Sequence, residues 1–492
     1  TGFGLTMFPV SYDPGISSTS QAIDTNITLD WNRPVKAGSG TITIRTGSAS
    51  GTVVDQFVVG SSSSITFANN QVILNPAADL SYETEYFVTF PAATVKEAGD
   101  QLENSQVNYS FTTLEEPATT YELWAWGGNG DGQLGQNSEA KNSSPVQIPG
   151  DDWRTASYNS STAKTHNILT KTDGTLWEIG AGGNGQLAQN SRTSYSSPVQ
   201  VGTDTTWSLN VIGGTKCSMG VKTDNTLWVW GWNEYGRLGT GESTNKDYSS
   251  PVQIGTDTTW STSAGSMSGG QAANTLAIKT DGTMWAWGNN NYGQFGVNTS
   301  GTPSSRSSPT QLPGTTWSKV CNVQWSTYSI KTDGTLWSWG YNKSGQLGQN
   351  VGPGNPSGAV SSPTQVGTGT DWASMASAQY SGLAVKTDGT MWTWGRNWYG
   401  ELGHNSRTYF SSPTQIPGTT WASAASDKGA YIATRTDGTL WSWGYQQSGQ
   451  LGINIGGVQH RSSPVQIPGT WGTEIYHVGS SIDAFNVLKE TA

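Results

Sequence analysis

The feature that most constrains the fold is a composite pattern that the sequence carries seven times, with local substitutions. The pattern runs Leu-Trp-x-Trp-Gly, Gly-Gln-Leu-Gly, Ser-Ser-Pro-x-Gln and then a lone Trp. Successive copies are 49 to 57 residues apart. A period of roughly 50 residues is typical of propeller blades or solenoid repeats. The copies begin at Leu123, Leu176, Leu227, Met284, Leu336, Met391 and Leu440.

A hairpin is predicted in six of the repeats. Each of these has Lys/Arg-Thr-Asp-Gly/Asn-Thr directly before the Leu-Trp element. Because Asp-Gly supplies two residues that tolerate positive φ, the pattern predicts a type I′ turn between two strands. In the second strand the two Trp residues share one face, while Leu and the residue between the Trp residues share the other. Two apolar faces predict a blade that neighbouring blades cover on both sides.

The repeat accounts for most of the tryptophans. Of 24 Trp residues, 13 occupy the Leu-Trp-x-Trp positions, with Ile179 in the fourteenth, and seven are the lone Trp residues. Stripes of Trp can bind sugars, but a sevenfold stripe on strands is more typical of a core. We therefore expect these residues to be buried. Four Trp residues lie outside the pattern: Trp31, Trp232, Trp325 and Trp398.

Each end of the repeat region contains half of a blade. The first Leu-Trp strand, residues 122–126, follows a linker-like stretch instead of a hairpin. Residues 485–491 resemble the strand that precedes each Asp-Gly pair. We expect residues 485–491 to pair with 122–127 and so to close a ring of seven blades. A solenoid would instead leave open ends that need caps.

These motifs resemble the RCC1-repeat family, whose members fold as seven-bladed β-propellers. The resemblance covers roughly residues 121–492 and is carried by Trp-x-Trp-Gly, Gly-Gln-Leu-Gly and Asp-Gly. In better-known members a His-Ser/Thr-Leu-type sequence precedes the Asp-Gly turn. In this chain only residues 165–169 are similar to it, so the repeats resemble more closely the microbial and phage versions of the family. The founding member promotes nucleotide exchange on a small GTPase and binds chromatin. We do not expect that activity, because function does not transfer with a fold and the sequence shows no basic tail.

Residues 1–116 resemble a bacterial Ig-like domain of the S-layer-associated type. The stretches 26–31, 35–44, 80–90 and 108–113 read as short strands between Gly/Ser/Asn turns, as a β-sandwich needs. The resemblance implies a spacer or attachment module of a microbial surface or virion. The predicted architecture is all-β, with an Ig-like β-sandwich over 1–116, a linker over 117–121 and a closed seven-bladed β-propeller over 122–492.

Composition and motifs disfavour several classes of function. The net charge is −10 and no Lys/Arg run is present, so no attraction for nucleic acid is expected. No apolar run approaches the roughly 18 residues that a membrane span needs, so we expect no membrane insertion. Cys217 and Cys321 are predicted to be buried free thiols. The histidines lack metal-ligand spacing and no catalytic motif is present, so we expect no metal, no cofactor and no enzymatic activity.

The loop before Ser-Ser-Pro varies between the repeats. The residue that precedes Ser-Ser-Pro is aromatic in three repeats and Arg in two. Equivalent loops of a propeller emerge on one side, so these residues can form a recognition rim. The alternative is that they shield the blade edges. The predicted partner-binding residues are Tyr195, Tyr248, Arg306, Phe410 and Arg461.

Together these features favour a non-enzymatic structural or adhesion protein of a phage virion. The Ig-like domain would attach or space, and the propeller would contact a protein or a glycan. A secreted bacterial cell-surface adhesin is one alternative, and a propeller enzyme that acts on glycans is another. The expected location is the virion or the extracellular surface, and a homo-oligomer is compatible with the sequence.

Overall fold

A computed structural model describes most of the chain as β-strands. It describes residues 6–99, 101–114, 121–156, 165–242, 246–269, 273–300, 305–351, 358–469, 471, 477–481 and 483–490. The chain forms two compact units, Thr1–Ala118 and Thr119–Ala492. Residues 117–120 of the predicted linker and residue 491 of the predicted closing strand lie outside the described residues.

The N-terminal unit is a β-sandwich. Its described strands are β1 (Pro9–Asp13), β2 (Ile27–Trp31), β3 (Val35–Ala37), β4 (Thr41–Thr46), β5 (Val53–Val58), β6 (Ile65–Ala68), β7 (Gln71–Leu74), β8 (Glu85–Phe90), β9 (Val95–Glu97) and β10 (Val107–Thr112). Two four-stranded sheets have the orders β1-β2-β7-β6 and β10-β8-β4-β5, and β3 pairs with β9. Alternate residues of β2 point into a core that both sheets share. Trp31, one of the four Trp residues outside the repeat, is 1% exposed in this core.

Within its described residues, the C-terminal unit contains seven four-stranded antiparallel sheets. Sheet 1 begins with β11 (Tyr121–Gly127) and β12 (Asn142–Ile148). Sheet 2 contains β13 (Trp153–Ala156), β14 (His166–Lys171), β15 (Leu176–Gly180) and β16 (Tyr195–Gln200). Sheet 3 contains β17 (Trp207–Gly213), β18 (Cys217–Lys222), β19 (Leu227–Gly231) and β20 (Tyr248–Gln253), with a short 3-10 helix at Glu234–Gly236. Sheet 4 contains β21 (Met267–Gly269), β22 (Asn274–Ile278), β23 (Met284–Gly288) and β24 (Arg306–Gln311).

The remaining sheets follow the same order along the chain. Sheet 5 contains β25 (Trp317–Val323), β26 (Ser326–Lys331), β27 (Leu336–Tyr341) and β28 (Ala359–Gln365). Sheet 6 contains β29 (Trp372–Ala378), β30 (Ser381–Lys386), β31 (Met391–Gly395) and β32 (Phe410–Ile416). Sheet 7 contains β33 (Trp421–Ser426), β34 (Ala430–Arg435), β35 (Leu440–Gly444) and β36 (Arg461–Ile467). Sheet 1 is completed by β37 (His477–Ser481) and β38 (Ala484–Glu490), in the order β12-β11-β38-β37.

Strands from the two ends of the repeat region therefore share sheet 1. β11 and β38 pair antiparallel in unbroken register, from Tyr121 opposite Glu490 to Gly127 opposite Ala484. In sheets 2 to 7 the equivalent two strands are consecutive and are joined by the Asp-Gly or Asp-Asn hairpin. β38 thus supplies the strand that precedes Leu-Trp in every other sheet.

The hairpin turns differ from the predicted type. In sheet 2 the Gly174 N–H donates to the Lys171 carbonyl oxygen, and the Lys171 N–H donates to the Thr175 carbonyl oxygen, both at 3.0 Å. Within this turn only Gly174 has positive φ, at 77°. This is a type I turn followed by a left-handed Gly, which forms a G1 bulge. The Asp173 carboxylate accepts hydrogen bonds from the Thr175 N–H at 2.9 Å and hydroxyl at 2.6 Å, so its role is local capping and the type I′ prediction is wrong.

Both faces of each Leu-Trp strand are buried, and each faces a different sheet. In sheet 1, Trp126 packs in a core with Ile467 of sheet 7, whereas Leu123 packs in a core with Ile179 of sheet 2. Cores of the same kind lie between the other successive sheets. The second Trp of the pattern is at most 1% exposed wherever it occurs. The second Trp of the pattern and the lone Trp are therefore core residues, as predicted, whereas the first Trp of each pair is only half-buried and packs against these cores.

Indole N–H groups also connect neighbouring sheets. In six sheets the second Trp of the pattern donates to a backbone carbonyl oxygen of the preceding Gly-Gln-Leu-Gly loop at 2.7–2.9 Å. Ile179 has no such donor. In its sheet, Asn167 lies directly opposite Ile179 and donates from Nδ2 to the Gln133 carbonyl oxygen at 2.8 Å. The missing indole is thus replaced by an amide on the adjacent strand.

The Lys or Arg before Thr-Asp-Gly lies against two indole rings. In sheet 4, Lys279 Nζ is 5.0 Å from the ring centroid of Trp260 and 4.3 Å from that of Trp285. The same arrangement occurs in sheets 2, 3, 5, 6 and 7. Cation–π contacts contribute about 0.5–2 kcal/mol each. The recurring cation is therefore part of each sheet's packing.

The Ser-Ser-Pro strand contacts the sheet before it. The Asn454 N–H of sheet 7 donates to the Ser143 carbonyl oxygen of sheet 1 at 2.9 Å, and the other sheets repeat this bond. The first Gly of the Gly-Gln-Leu-Gly loop also lies very close to the Ser-Ser-Pro strand of the next sheet. A Cβ on Gly449 would lie 2.7 Å from Ser143 Cα, and one on Gly185 would lie 2.8 Å from Ser249 Cα. Small residues therefore recur on both sides of this contact because no side chain fits between the two backbones.

Candidate functional site

Two sets of loops emerge at the same end of the sheets in the C-terminal unit. One set follows the Trp-Gly element at the end of each Leu-Trp strand. The other set precedes the strand that pairs with the Leu-Trp strand and corresponds to β38 of sheet 1. The two loops are held together by a hydrogen bond, in which the residue after Trp-Gly donates its N–H to the carbonyl oxygen of the residue before that paired strand. Tyr341 donates to the Trp325 carbonyl oxygen and Arg396 to that of Tyr380, each at 2.9 Å. Side chains of these two loops differ strongly between the repeats.

Eight side chains from these loops, together with His460 from the loop before β36, form a continuous set of ring and cation contacts, which we call the aromatic band. In sheets 4 and 5, the Trp325 ring centroid lies 5.0 Å from that of Tyr292 and 5.2 Å from that of Tyr341. Trp325 and Tyr341 each lie 6.4 Å from Tyr380 of sheet 6. The members of the band are Tyr292, Trp325, Tyr341, Tyr380, Arg396, Trp398, Tyr399, Tyr445 and His460.

Arg396 connects the two halves of the band. Its guanidinium carbon lies 4.5 Å from the ring centroid of Tyr380 and 4.9 Å from that of Trp398. The side chain is buried, and its Nε donates to Glu401 at 3.2 Å. Burial raises the pKa of the Glu401 carboxyl, an effect that backbone N–H groups and the Arg396 charge oppose. Arg396 is therefore fixed in position before any partner binds.

Three rings form the far end of the band in sheets 6 and 7. The Tyr399 ring centroid is 4.7 Å from the centroids of both Tyr445 and His460. His460 stacks on Tyr445 at 5.3 Å with 19° between the planes, and its Nδ1 accepts a hydrogen bond from the Gln446 N–H at 3.0 Å. Burial, and then the charge of Arg407, lower the pKa of His460. The His460 ring is thus neutral at pH 7 and acts here as an aromatic group.

The band is partly open to solvent and is flanked by cations. Trp398 is 59% exposed. Lys343 and Lys428 are exposed, and their Nζ atoms lie 5.9 Å from the ring centroids of Tyr341 and Tyr445 respectively. Trp, Tyr and Arg are the residue types that most often dominate binding energy in protein interfaces. This composition makes the band the candidate binding surface of the unit.

A pair of carboxyl groups lies beside the Tyr445 end of the band. Asp427 follows β33 and Asp483 precedes β38, at the hairpins of neighbouring sheets. Asp427 is fully buried, and burial followed by the charge of Asp483 raises its pKa well above the ordinary value. Burial also raises the pKa of Asp483, although Lys428 opposes the shift. Neighbouring carboxyl groups with raised pKa values are a feature of acid catalysts, but the Asp427 side chain has no exposed surface.

The predicted rim residues begin the fourth strand of five different sheets. Each lies opposite the Gly of Trp-Gly in the strand register. The Tyr248 hydroxyl donates to Glu242 at 2.6 Å, and the Phe410 ring centroid lies 5.2 Å from that of His404. Both of these contacts are local to one repeat. The recognition rim stays a prediction for these residues: Tyr195, Tyr248, Arg306, Phe410 and Arg461.

Three of the four Trp residues outside the repeat lie on the loops at this end of the C-terminal unit. Trp325 and Trp398 belong to the band. Trp232 occupies the equivalent loop of sheet 3, between Lys216 Nζ at 4.7 Å and the Arg237 guanidinium carbon at 4.3 Å. The sequence signal for this surface is therefore the set of Trp residues that the repeat does not require. The loops before Ser-Ser-Pro contribute one member, His460, which is not among the five predicted rim residues.

A second buried polar cluster lies between sheets 2 and 3. Glu178 Oε1 accepts a hydrogen bond from Trp230 Nε1 at 3.0 Å, and His166 Nε2 lies 2.8 Å from Ser218 Oγ. Burial raises the pKa of Glu178 well above its ordinary value, although hydrogen bonds from Ser218 and Trp230 oppose this. Glu178, His166 and Ser218 have no exposed surface, so the cluster cannot receive a substrate.

In the part of the chain that the structure describes, no group of three or more His, Cys, Asp or Glu side chains is arranged to hold a metal ion. No described helix has the length and apolar character needed to cross a membrane. Cys217 and Cys321 are buried and form no disulfide bond, as predicted. Burial raises the pKa of the Cys321 thiol to about 11, so it is protonated at pH 7.

Comparisons with known proteins follow the two units. Residues 9–113 match the bacterial Ig-like domain family model. The model of the Regulator of chromosome condensation (RCC1) repeat matches residues 122–157, 224–267, 281–325, 333–385, 388–426 and 437–481, which is more than half of the 492 residues. A second model of the same repeat matches residues 267–294.

Individual relatives and solved structures agree with these family matches. The ultraviolet-B receptor UVR8 of Arabidopsis thaliana is 28% identical over 231 residues, which are 46% of this chain and 50% of UVR8. The mitochondrial RCC1 domain-containing protein RUG3 of the same plant is 26% identical over 353 residues, which are 66% of this chain and 76% of RUG3. The crystal structure of Prp20p from Saccharomyces cerevisiae superposes with a TM-score of 0.65 at 16% identity, over 76% of this chain and 93% of that chain, which shows the fold. The match spans only about half the length of UVR8. The chain therefore belongs to the RCC1-repeat family, with a propeller-type C-terminal unit and a bacterial Ig-like domain before it.

Proposed function

We propose that this protein is a non-enzymatic structural or adhesion protein whose propeller binds a partner through the aromatic band. A phage virion is the setting that we favour, because an Ig-like module there would attach or space the propeller. A secreted bacterial cell-surface adhesin is the alternative setting. The observation that carries the proposal is the continuous contact of nine aromatic and cationic side chains, with the exposed Trp398 among them.

The band is suited to binding because its parts are held in place. Tyr and Trp provide large contact areas at a low cost in side-chain entropy. Glu401 fixes Arg396, and the stacked rings of Tyr445 and His460 fix one another. A partner therefore binds a surface that is already ordered, which preserves affinity.

A protein partner is one chemistry that the comparisons support. The solved structure of Prp20p is described together with the binding of that protein to Gsp1p and histones. We extend to this chain only the general point that an RCC1-type propeller binds another macromolecule. The residues of the aromatic band, and not those of the relatives, determine which one.

The seven sheets are proposed to form a closed seven-bladed ring. Three contacts between sheet 7 and sheet 1 support this. Trp126 Nε1 donates to the Gln450 carbonyl oxygen at 2.9 Å, Asn454 contacts Ser143, and one apolar core contains residues of both sheets. Each contact has an equivalent between the other neighbouring sheets. A closed ring holds the loops of the band in fixed relative positions.

Ring closure is tested by a matched pair of glycine substitutions. Gly449→Ala places a Cβ against Ser143 at the sheet 7–sheet 1 contact, and Gly185→Ala does the same against Ser249 at an internal contact. Each is expected to reduce the free energy of unfolding by about 1–3 kcal/mol, because the backbones must separate. Deletion of residues 485–492 is expected to lower the melting temperature sharply. Positive φ disfavours Ala at both positions, so the difference between the two variants is the test: if Gly449→Ala costs clearly less than Gly185→Ala, the ring is open.

The adhesion role is tested by surface binding of the full chain. Fluorescently labelled protein is incubated with intact cells of a panel of Gram-positive and Gram-negative bacteria, and bound protein is measured by flow cytometry. We expect binding to at least one strain and a loss of about tenfold in affinity for Trp398→Ala. Tyr235→Ala is the matched control, because Tyr235 is also exposed but lies in sheet 3, outside the band. Equal binding by the Trp398→Ala and Tyr235→Ala variants, or no binding of the parent protein to any strain, would contradict the proposal.

Cleavage of a bound glycan is the second candidate function, and Asp427 and Asp483 favour it. Burial raises the pKa of both carboxyl groups, and a carboxylic acid with a raised pKa can act as a general acid that protonates a leaving oxygen. Product analysis after incubation with oligosaccharides tests this function. Turnover that disappears in Asp483→Asn while binding persists would establish an enzyme in place of an adhesin.

A further inference from the structure

We propose that the aromatic band binds an acidic carbohydrate chain. Sugar rings lie against the aromatic side chains, and carboxylate groups of the carbohydrate pair with the flanking lysines. This inference rests on the proposed function and names the chemistry of the partner. Three properties of the band carry it: its extended shape, the amphipathic character of its rings and the sign of its exposed charge.

The band is long, and it crosses four sheets. Tyr292 follows β23 of sheet 4, Trp325 precedes β26 of sheet 5 and Tyr380 precedes β30 of sheet 6. In sheet 7, His460 precedes β36 and packs on the buried Tyr445. The rings on each side of Arg396 lie 4.7–6.4 Å apart, and Arg396 bridges Tyr380 to Trp398 and Tyr399. A small ligand is usually bound in one concave pocket that covers most of its surface. A row of contact points over four sheets instead suits a polymer of repeating units.

The rings of the band combine an apolar face with a polar edge. The pKa of the Tyr341 hydroxyl is raised by burial and then by the neighbouring Tyr380 and Tyr292 hydroxyls, so polar groups gather on the same surface as the rings. A sugar ring has the complementary combination, with C–H groups on its faces and hydroxyls around its edge. Trp398 offers the largest exposed area, while Arg396 supports the same ring from within the protein.

The exposed charges named around the band are positive, and one half-buried carboxyl group, Asp483, lies near Lys428. Lys343 and Lys428 are exposed on separate sheets, and Arg407 is exposed near the His460 end. The buried Arg396 charge is balanced by Glu401. Separate exposed cations suit a chain with spaced carboxylates. A single-stranded nucleic acid would gain its affinity from many consecutive phosphate contacts, and the net charge of −10 on the whole chain opposes that.

The test measures binding of the full chain to polygalacturonate, alginate and hyaluronate by isothermal titration calorimetry. The methyl ester of polygalacturonate is the neutral counterpart with the same sugar rings, and single-stranded oligothymidylate is the comparison polyanion. We expect at least one acidic polymer to bind, with affinity about tenfold weaker for its neutral or esterified form. Trp398→Ala is expected to weaken binding about tenfold, and Tyr235→Ala to leave it unchanged.

A second variant separates charge from ring contact. In Lys343→Ala combined with Lys428→Ala, we expect residual binding that no longer distinguishes the acid from the ester. Both lysines are exposed, so melting temperatures should match the parent protein. Equal parent binding to acid and ester, or equal or tighter binding to oligothymidylate, would overturn the inference.

Failure of this inference and failure of the proposed function give different results. If no acidic polymer binds, but attachment to bacterial cells still depends on Trp398, the carbohydrate assignment is wrong and the adhesion role stands. If attachment to cells is insensitive to Trp398→Ala, the band is not the contact surface and both fail.

Discussion

The amide that replaces an indole in sheet 2 allows a quantitative test of how neighbouring sheets are joined. Asn167 is 2% exposed, and its Nδ2 donates to the Gln133 carbonyl oxygen at 2.8 Å. Asn167→Ala removes this donor and leaves the carbonyl oxygen in an apolar contact region. A buried acceptor that loses its partner costs about 1–3 kcal/mol. We expect the free energy of unfolding to decrease by that amount.

The pair Asn167 and Ile179 should also show strong coupling. Ile179→Trp alone adds a ring beside Asn167 and is expected to cost about 1–3 kcal/mol by overpacking. In the Asn167→Ala background, the same ring gains space and its N–H can reach Gln133, as the indoles of the other sheets reach their acceptors. The double variant should therefore be more stable than the sum of the two single effects predicts.

Urea unfolding followed by Trp fluorescence measures these differences, with Thr327→Ala as the matched control. The Thr327 hydroxyl donates to the Gln294 carbonyl oxygen at 3.0 Å, but Trp339 Nε1 donates to the same oxygen at 2.9 Å. Loss of one of two donors should cost less, about 0.5–1.5 kcal/mol. If Asn167→Ala costs no more than Thr327→Ala, or if the double variant is strictly additive, the compensation does not exist.

Three further expectations follow from buried or packed groups. Burial raises the pKa of Glu178 above its ordinary value of 4.5, so stability that is present below about pH 4.5 is lost as pH rises towards the raised pKa. The Glu178→Gln variant should not show this loss, so in thermal melts its stability relative to the parent protein should increase between pH 4.5 and 7. If the stability difference between the two proteins is constant over that range, Glu178 is ionised in the folded protein. Lys279→Met keeps the hydrophobic stem but removes the charge beside two indole rings and the ion pair with Asp257. The variant should lose about 0.5–2 kcal/mol of unfolding free energy in urea. If it loses none, the stem alone provides the packing. Gly174→Ala should destabilise by about 1 kcal/mol or more, because the turn needs φ of 77° there and the added Cβ would meet the Thr205 carbonyl oxygen; a neutral effect in the same assay would contradict the turn assignment.

The repeat predicts much of the fold because each of its elements has a local physical role. The alternation of Trp with Leu and the residue between the two Trp residues predicts two buried faces per strand, and the structure places those faces in separate cores. The turn type was predicted wrongly from Asp-Gly alone. Thr175 decides it, because its N–H and hydroxyl both bind the Asp173 carboxylate and stabilise a type I turn before the Gly. That contact depends on a residue outside the dipeptide on which the prediction was based.

The candidate site was harder to predict because its contacts join different repeats. Trp325 and Tyr380 are separated by a full repeat in sequence and meet only because sheets 5 and 6 are neighbours. Counting Trp residues does identify Trp325 and Trp398 as unexplained by the core. Nothing in the sequence indicates that Tyr292 contacts Trp325 or that His460 contacts Tyr399, because each contact joins different repeats. The position of Tyr292 is also Tyr in two other repeats, as Tyr235 and Tyr399.

The pairing of β11 with β38 has a consequence for synthesis of the chain. β11 leaves the ribosome early, but its partner is made only after the strands of sheets 2 to 7. Until then one side of β11 is an unpaired edge, and such edges readily pair with other chains. The Ig-like domain can fold meanwhile, because all of its strands precede β11. Translation products that stop before Ala484 should consequently aggregate, and recruitment of chaperones to nascent chains should persist until the final strand has docked.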